Sequence, residues 1–184
     1  IMFFAKNPSL QSFFVSKNIA GDVYELPQGF WGNYLGVVNA NVAGGKSDAV
    51  VDEIVEVRAD IDTSGAILTD VKITRTHRGN KEKDPWWKAS NKNFVQIFAN
   101  PDASLVSIQG NDAKSLIKND YTGEGFQTYP QLSALEETRR TLENFRAWAL
   151  AAFQKTIWEV WFPIEAGKEK TLNVRYEIPN SNTT

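Results

Sequence analysis

Between residues 55 and 61 apolar and polar positions alternate one for one, with Val55, Val57, Ala59 and Ile61 set against Glu56, Arg58 and Asp60. A period of two belongs to a strand with one apolar and one wet face. After the turn sequence Asp62-Thr63-Ser64-Gly65, the alternation resumes with Ile67, Val71 and Ile73 against Asp70, Lys72 and Thr74. The two runs predict an antiparallel hairpin in which Gly65 takes a positive φ angle.

The same pattern analysis extends along the chain. Asn7 and Pro8 have the chemistry of a helix cap and first helical position. Leu10, Phe13 and Phe14 then fall on one face of a short amphipathic helix ending near Lys17-Asn18. Residues 34–38 are apolar on both phases, as in a strand buried on both faces. Val50, Val51, Ile54 and Val55 are out of phase with the alternation that follows, which predicts a bulge or one helical turn near Asp52-Glu53. Residues 94–99 and 105–109 predict two strands separated by Asn100-Pro101-Asp102-Ala103, with proline where a type I turn places it.

Residues 111–130 are polar and glycine-punctuated and read as loop. Beyond them, Ser133 and Glu136 have capping-box spacing, and Leu135, Leu142, Phe145, Ala149 and Ala152 recur at helical spacing. The spacing predicts a long helix to Phe153, with Glu136 placed to pair with Arg140. Thr156, Trp158, Val160 and Phe162 share one phase, and Leu172, Val174, Tyr176 and Ile178 share another after a turn at residues 165–168; together they predict a C-terminal hairpin. The expected fold is α+β: mainly antiparallel β-sheet or sandwich, one short N-terminal helix, and one long helix before the C-terminal hairpin. No composition break or repeat divides residues 1–184, which read as a single domain.

Composition narrows the function classes. The 184 residues include 11 Phe, 6 Trp and 5 Tyr, enough apolar mass for a core without staples. With 20 basic and 22 acidic side chains the net charge is −2, and no basic stripe emerges, which argues against a nucleic-acid partner. The chain has no cysteine, so disulfides, thiolate metal sites and a cysteine nucleophile are excluded. No apolar run of about 18 residues is present to span a membrane, and the first residues lack the basic leader of a signal peptide. Residue 1 is Ile, as expected of a piece of a longer chain.

The candidate chemistry lies in two loops and one strand end. Residues 39–48 combine Asn41, Lys46 and Asp48 with Gly44-Gly45, groups that could hold an anion or a hard cation; the alternative is that the glycines merely turn the chain. The loop fits neither a P-loop nor an EF-hand. His77 falls on the apolar phase of its strand, either as a general base or as a rim residue bonded to a loop carbonyl. Asp48, Asp52, Glu53 and Glu56 are acid/base candidates whose alternative is a solvated face. With a single histidine and no cysteine no metal site is expected, nor is any cofactor, and no serine has a GxSxG context. In the polar stretch 78–93, adjacent Trp86 and Trp87 must expose at least one ring if extended. An exposed indole suits stacking on a sugar or insertion into a partner, whereas two buried rings would form a lid.

The order of short motifs resembles the C-terminal part of a bacterial family catalogued as domain of unknown function 4012. The likeness rests on MFFAKNPSLQSFF, the AGDV step at residues 20–23, YLGVVNANVAGGKSD, the strand pair ending ITRTHRG, NFVQIFANPDASLVSIQG and WFPIEAGKEKTLNVRYEIP. Residues 132–153 depart from the family pattern. The resemblance implies an extracytoplasmic domain of an envelope protein, attached to the cell membrane through a segment outside this chain, and brings no catalytic residues with it. The expected function is non-catalytic binding of an envelope protein or surface glycan through Trp86, Trp87, Asn41, Lys46, Asp48 and His77. Two rivals are an enzyme acting on envelope glycopolymers, which requires Asp48, Asp52 and His77 to converge, and a structural spacer or assembly module.

Overall fold

The computed structural model describes residues 3–21, 23–42, 45–113, 125, 127 and 129–180. The backbone clusters into two compact units, residues 1–30 and 31–184.

The first unit contains helix α1 (Pro8–Ser16). Asn7 Oδ1 accepts from the Leu10 N–H at 3.1 Å, and Pro8 occupies the first turn, where its missing N–H costs nothing. Asn18 leaves the helix at φ 55°, and Phe14 packs on Phe3 with ring centroids 5.3 Å apart. Helix position and cap agree with the sequence pattern.

In the second unit the strands, in chain order, are β1 (Gly36–Asn41), β2 (Val51–Ile61), β3 (Ile67–His77), β4 (Asn93–Ala99), β5 (Ser104–Gln109), β6 (Arg140–Leu142), β7 (Ala147–Ala152), β8 (Lys155–Trp161) and β9 (Glu169–Ile178). A four-residue helix, α2 (Pro85–Lys88), precedes β4, and α3 (Pro130–Glu137) precedes β6. The strands form a five-stranded sheet in the order β1-β4-β8-β7-β6 and a four-stranded sheet in the order β2-β3-β9-β5. Every pairing among these strands is antiparallel.

The core lies between the sheets. Val71 and Ile73 of β3 and Leu172, Val174 and Tyr176 of β9 meet Val95 and Ile97 of β4 and Trp158 and Val160 of β8, all essentially inaccessible to solvent. Each such side chain contributes on the order of 1.5–3 kcal/mol through removal from water. Trp158 and Tyr176 span the two layers with ring centroids 5.2 Å apart. The Tyr176 hydroxyl donates to Asn33 Oδ1 at 2.7 Å, and Asn33 in turn donates to Thr69 Oγ1 at 3.0 Å.

Burial pushes the Tyr176 phenol from its ordinary value near 10 up to about 12, against the opposing pull of Thr69 and Asn33. Because folding favours the neutral phenol, this stabilisation is complete below about pH 10 and is lost as pH rises toward about 12. In urea titrations from about pH 8 upward, wild type therefore loses stability above about pH 10 more steeply than Tyr176→Phe. Parallel pH profiles for the two proteins contradict this assignment.

The predicted hairpin is present as β2 and β3. Gly65 has φ +85°, and Asp62 Oδ1 accepts from the N–H groups of Ser64 and Ala66 at 2.8 and 3.0 Å, closing the turn. β3 alternates buried and wetter positions as expected, but β2 is exposed along nearly its whole length, including Val55, Val57 and Ile61. It is an edge strand whose apolar residues Val55, Val57 and Ile61 stay open to solvent.

The α+β expectation with a long helix at residues 132–153 is overturned. α3 ends at Glu137, Thr138 Oγ1 donates to the Leu135 carbonyl, and the chain turns through Arg146 at φ 52° between β6 and β7. Helical spacing misled here because Ala147, Trp148, Ala149 and Leu150 are all buried, so β7 is apolar on both phases and shows no alternation to reveal a strand. α3 begins at Pro130 with Tyr129 as its cap residue and no side-chain cap bond, which leaves Ser133 inside the helix. Instead of the expected Glu136–Arg140 pair, Arg139 Nε approaches Glu159 Oε2 at 2.8 Å.

The C-terminal hairpin is also corrected. β8 pairs with β4 and β7, β9 pairs with β3 and β5, and residues 163–168 carry the chain from one sheet to the other. The two runs resemble one hairpin because each presents one apolar phase to the same core, from opposite sides. Residues 34–38 are not a doubly buried strand, since β1 runs from Gly36 to Asn41 at a sheet edge with Val38 exposed. The single helical turn falls at Ser47–Val50, just before β2.

Candidate functional site

At one end of the sandwich β1 and β3 finish, β2 and β4 begin, and polar residues replace the apolar ones on the inward phases of β3 and β4. On β3 the series Ile67, Val71, Ile73 continues as Arg75 and His77; on the approach to β4, Asn91 and Asn93 precede Val95 and Ile97. All four polar residues are buried, so each requires partners.

Arg75 is the hub. Its guanidinium donates to Asn91 Oδ1 at 3.0 Å, its Nε lies 3.1 Å from Glu53 Oε2, and a terminal nitrogen lies 3.9 Å from Asp48 Oδ1. Burial pushes Arg75 below its ordinary value, and Glu53 and Asp48 oppose that shift. Asn91 Nδ2 donates to Asp48 Oδ1 at 2.8 Å and reaches Ser47 Oγ at 3.3 Å, and Asn41 Nδ2 reaches the same hydroxyl at 3.2 Å. Asn39 links the sheets, donating to Glu53 Oε1 at 2.9 Å and accepting from Asn93 Nδ2 at 2.7 Å. Asn41 Oδ1 and Asn93 Oδ1 have no hydrogen-bond partner among the described residues.

His77 is buried behind this network. Its Nε2 donates to the Ala89 carbonyl at 3.0 Å and its Nδ1 accepts from the Gly79 N–H at 3.1 Å, which fixes the Nε2–H tautomer. Both ring nitrogens are engaged by backbone. His77 thus bonds a loop carbonyl, as its strand-end position suggested, but from the interior rather than the rim.

Gly79 sets the position of α2. A Cβ there would sit 1.9 Å from the Trp87 carbonyl oxygen and 2.6 Å from His77 Cε1, so the absence of a side chain is what lets α2 approach. Asp84 Oδ1 caps the helix by accepting from the Trp86 N–H at 2.8 Å. Successive residues on a helix point about 100° apart, and here Trp86 is 64% exposed whereas Trp87 is half-buried. The segment is helical rather than extended, yet one indole does face solvent.

The structure brings the two nominated loops together. Val42 N–H donates to the Lys92 carbonyl at 3.2 Å, and the Asn91 side chain ties the second loop to Ser47 and Asp48 in the first. Asn41, Asp48, His77, Trp86 and Trp87 therefore belong to one end of the unit, with Lys46 and Asp48 exposed. Asp52 does not join them. It pairs with Arg78 on the opposite face of the sheet from His77, so Asp48, Asp52 and His77 do not converge as proton transfer requires.

Arg75, Asn91 and Asn93 were missed in the search for chemistry by residue type. Their signal was positional: polar residues on an otherwise apolar phase. Among the described residues no group of three or more His, Cys, Asp or Glu side chains gathers as a metal site would. A depression of about 490 Å³ lies elsewhere, on the outer face of the second sheet, lined by Glu56, Arg58, Asp70, Lys72 and Arg175. Its charges are already paired: Lys72 bridges Glu56, Arg58 bridges Asp60 beside the depression, and Arg175 holds Asp70 through two bonds of 2.6 and 2.8 Å, drawing that carboxyl below its ordinary value.

No family model, curated protein or solved structure matches the chain. What the loop end offers is a fixed array of amides and carboxylates beside an exposed aromatic ring.

Proposed function

We propose that residues 31–184 form a non-catalytic recognition unit of a bacterial envelope protein that binds a surface glycan at the loop end. One observation carries the reading: the exposed Trp86 ring and the exposed Asp48 carboxylate, with half-buried Asn41 beside them and buried Ser47 behind, sit on loops bonded to each other. A planar indole stacks on the apolar face of a sugar ring, and neighbouring amides and carboxylates pair with its hydroxyls. The array is held from behind by Arg75, so little ordering is required on binding. The extracytoplasmic setting and attachment through a segment outside residues 1–184 rest on the family resemblance. Among the described residues no helix is long and apolar enough to cross a membrane.

Sedimentation of the purified protein with isolated cell-wall polysaccharide and peptidoglycan tests the proposal. Wild type is expected to co-sediment, and Trp86→Ala to weaken binding by about tenfold without changing stability, since the ring is exposed. A Trp86→Ala, Trp87→Ala double variant is expected to abolish it. Failure of wild type to bind either fraction overturns the glycan reading and directs the search to protein partners.

A further inference from the structure

Among the described residues no strand pairs with the outer edge of β2, and that edge matches itself. The strand runs eleven residues, contains neither Pro, Gly nor Lys, and has no register shift against β3; its protection against indiscriminate pairing is charge alone, Asp52, Glu53, Glu56, Arg58 and Asp60, so a partner strand has to match those charges. The direction of its free peptide groups follows from the hairpin. Arg78 N–H donates to the Val50 carbonyl and Asp62 N–H to the Ala66 carbonyl, so even-numbered residues of β2 direct their peptide groups toward β3. In an antiparallel ladder the direction alternates. Val51, Glu53, Val55, Val57, Ala59 and Ile61 therefore direct theirs outward.

We propose that this edge pairs antiparallel with β2 of a second copy, about a two-fold axis at Val57, joining two four-stranded sheets into one. In this register Val57 meets Val57, Val55 meets Ala59 and Glu53 meets Ile61, each an outward-directed residue opposite another, so the ladder bonds form without a bulge. The partly exposed apolar residues Val55 (40%) and Val57 (50%) gain apolar cross-strand neighbours.

Charge favours this register. With the axis at Val57, Glu56 lies directly opposite Arg58 of the other copy, twice by symmetry, at the non-hydrogen-bonded positions where side chains stand closest. Centring on Glu56 or Arg58 opposes like charges at the axis, centring on Ala59 pairs Arg58 with Asp60 but sets Glu56 against Asp62, and centring on Val55 pairs Arg58 with Asp52 but leaves Glu56 opposite Ile54. Within one chain Lys72 already bridges Glu56 at 2.7 Å, and Arg175 holds Asp70 beside Arg58. The pairing extends these into one row of alternating sign: Arg175, Asp70, Arg58, then Glu56 and Lys72 of the second copy. The interface is isologous and closes as a dimer.

Sedimentation equilibrium measures the association, and two sets of variants test the register. Arg58→Glu and Glu56→Arg each place like charges opposite each other and are expected to weaken self-association by about tenfold, whereas an equimolar mixture of the two regains it as a heterodimer. The chain has no cysteine, so Val57→Cys is expected to form a disulfide-linked dimer under mild oxidation, its Cα atoms being about 5.5 Å apart across the axis. Ile61→Cys, far from its symmetry mate, is expected not to link. A wild type that stays monomeric at about 0.5 mM, where association with a micromolar Kd would be nearly complete, a mixture that does not associate, or equal cross-linking of the two cysteine variants overturns the proposal.

Discussion

Arg75→Ala is expected to lower the unfolding free energy by about 3 kcal/mol, a large fraction of what a domain of this size possesses. The side chain is buried, and its removal leaves Asn91 Oδ1 without its guanidinium donor and Glu53 without its cation, around a cavity between the sheets. Asp48, at 3.9 Å and with its side chain 53% exposed, contributes little to that figure. Asp48→Asn keeps the acceptor for Asn91 and is expected to cost less than about 0.5 kcal/mol. Urea denaturation checks both: the midpoint falls for Arg75→Ala at unchanged slope and stays near wild type for Asp48→Asn. Equal midpoints for the two variants contradict the role of Arg75 as hub.

Gly79→Ala is expected to be comparably damaging through sterics alone. The added Cβ meets the Trp87 carbonyl oxygen at 1.9 Å and His77 Cε1 at 2.6 Å, and neither can yield easily. The first is backbone, and the second belongs to a buried ring held at both nitrogens. α2 has to shift away, breaking the His77 bond to Ala89 and moving Trp86 out of register with Asn41 and Asp48. Overpacking of this kind costs about 3 kcal/mol, which at this chain length corresponds to a fall in Tm of about 6–12 °C. Gly45→Ala, in the same loop end, is the control. Its nearest contact would be the Ala89 Cβ at 3.8 Å, an ordinary separation, so its Tm should stay within about 2 °C of wild type. A Gly79→Ala protein that melts with wild type shows that the approach of α2 to β3 is not as tight as described.

The parts of the fold legible in the sequence are those where one period dominates. The β2–β3 hairpin, the turn at Gly65, the helix capped by Asn7 and the turn at Pro101 all follow from local rules, and each is present. Pairing partners were not legible, because alternation records which phase of a strand is buried and not which strand lies beside it. β8 and β9 accordingly resembled a hairpin although they lie in different sheets. β7, buried on both faces, had no alternation to distinguish it from helix. At the candidate site, Trp86, Asn41, Asp48 and His77 stood out by residue type, but their convergence depends on β1 and β3 ending where β2 and β4 begin. Arg75, Asn91 and Asn93, which hold the array, were marked only by being polar where the phase demanded apolar residues.

Recognition at the loop end, as proposed, is tested most directly by an amide NMR titration with soluble peptidoglycan and wall-polysaccharide fragments. Shifts are expected at Asn41, Ser47, Asp48 and residues 85–92 and at the Trp86 indole N–H, with the amides of Asp70, Lys72, Asn173 and Arg175 unmoved. Shifts confined to that charged outer face, or none at saturating fragment, would contradict it.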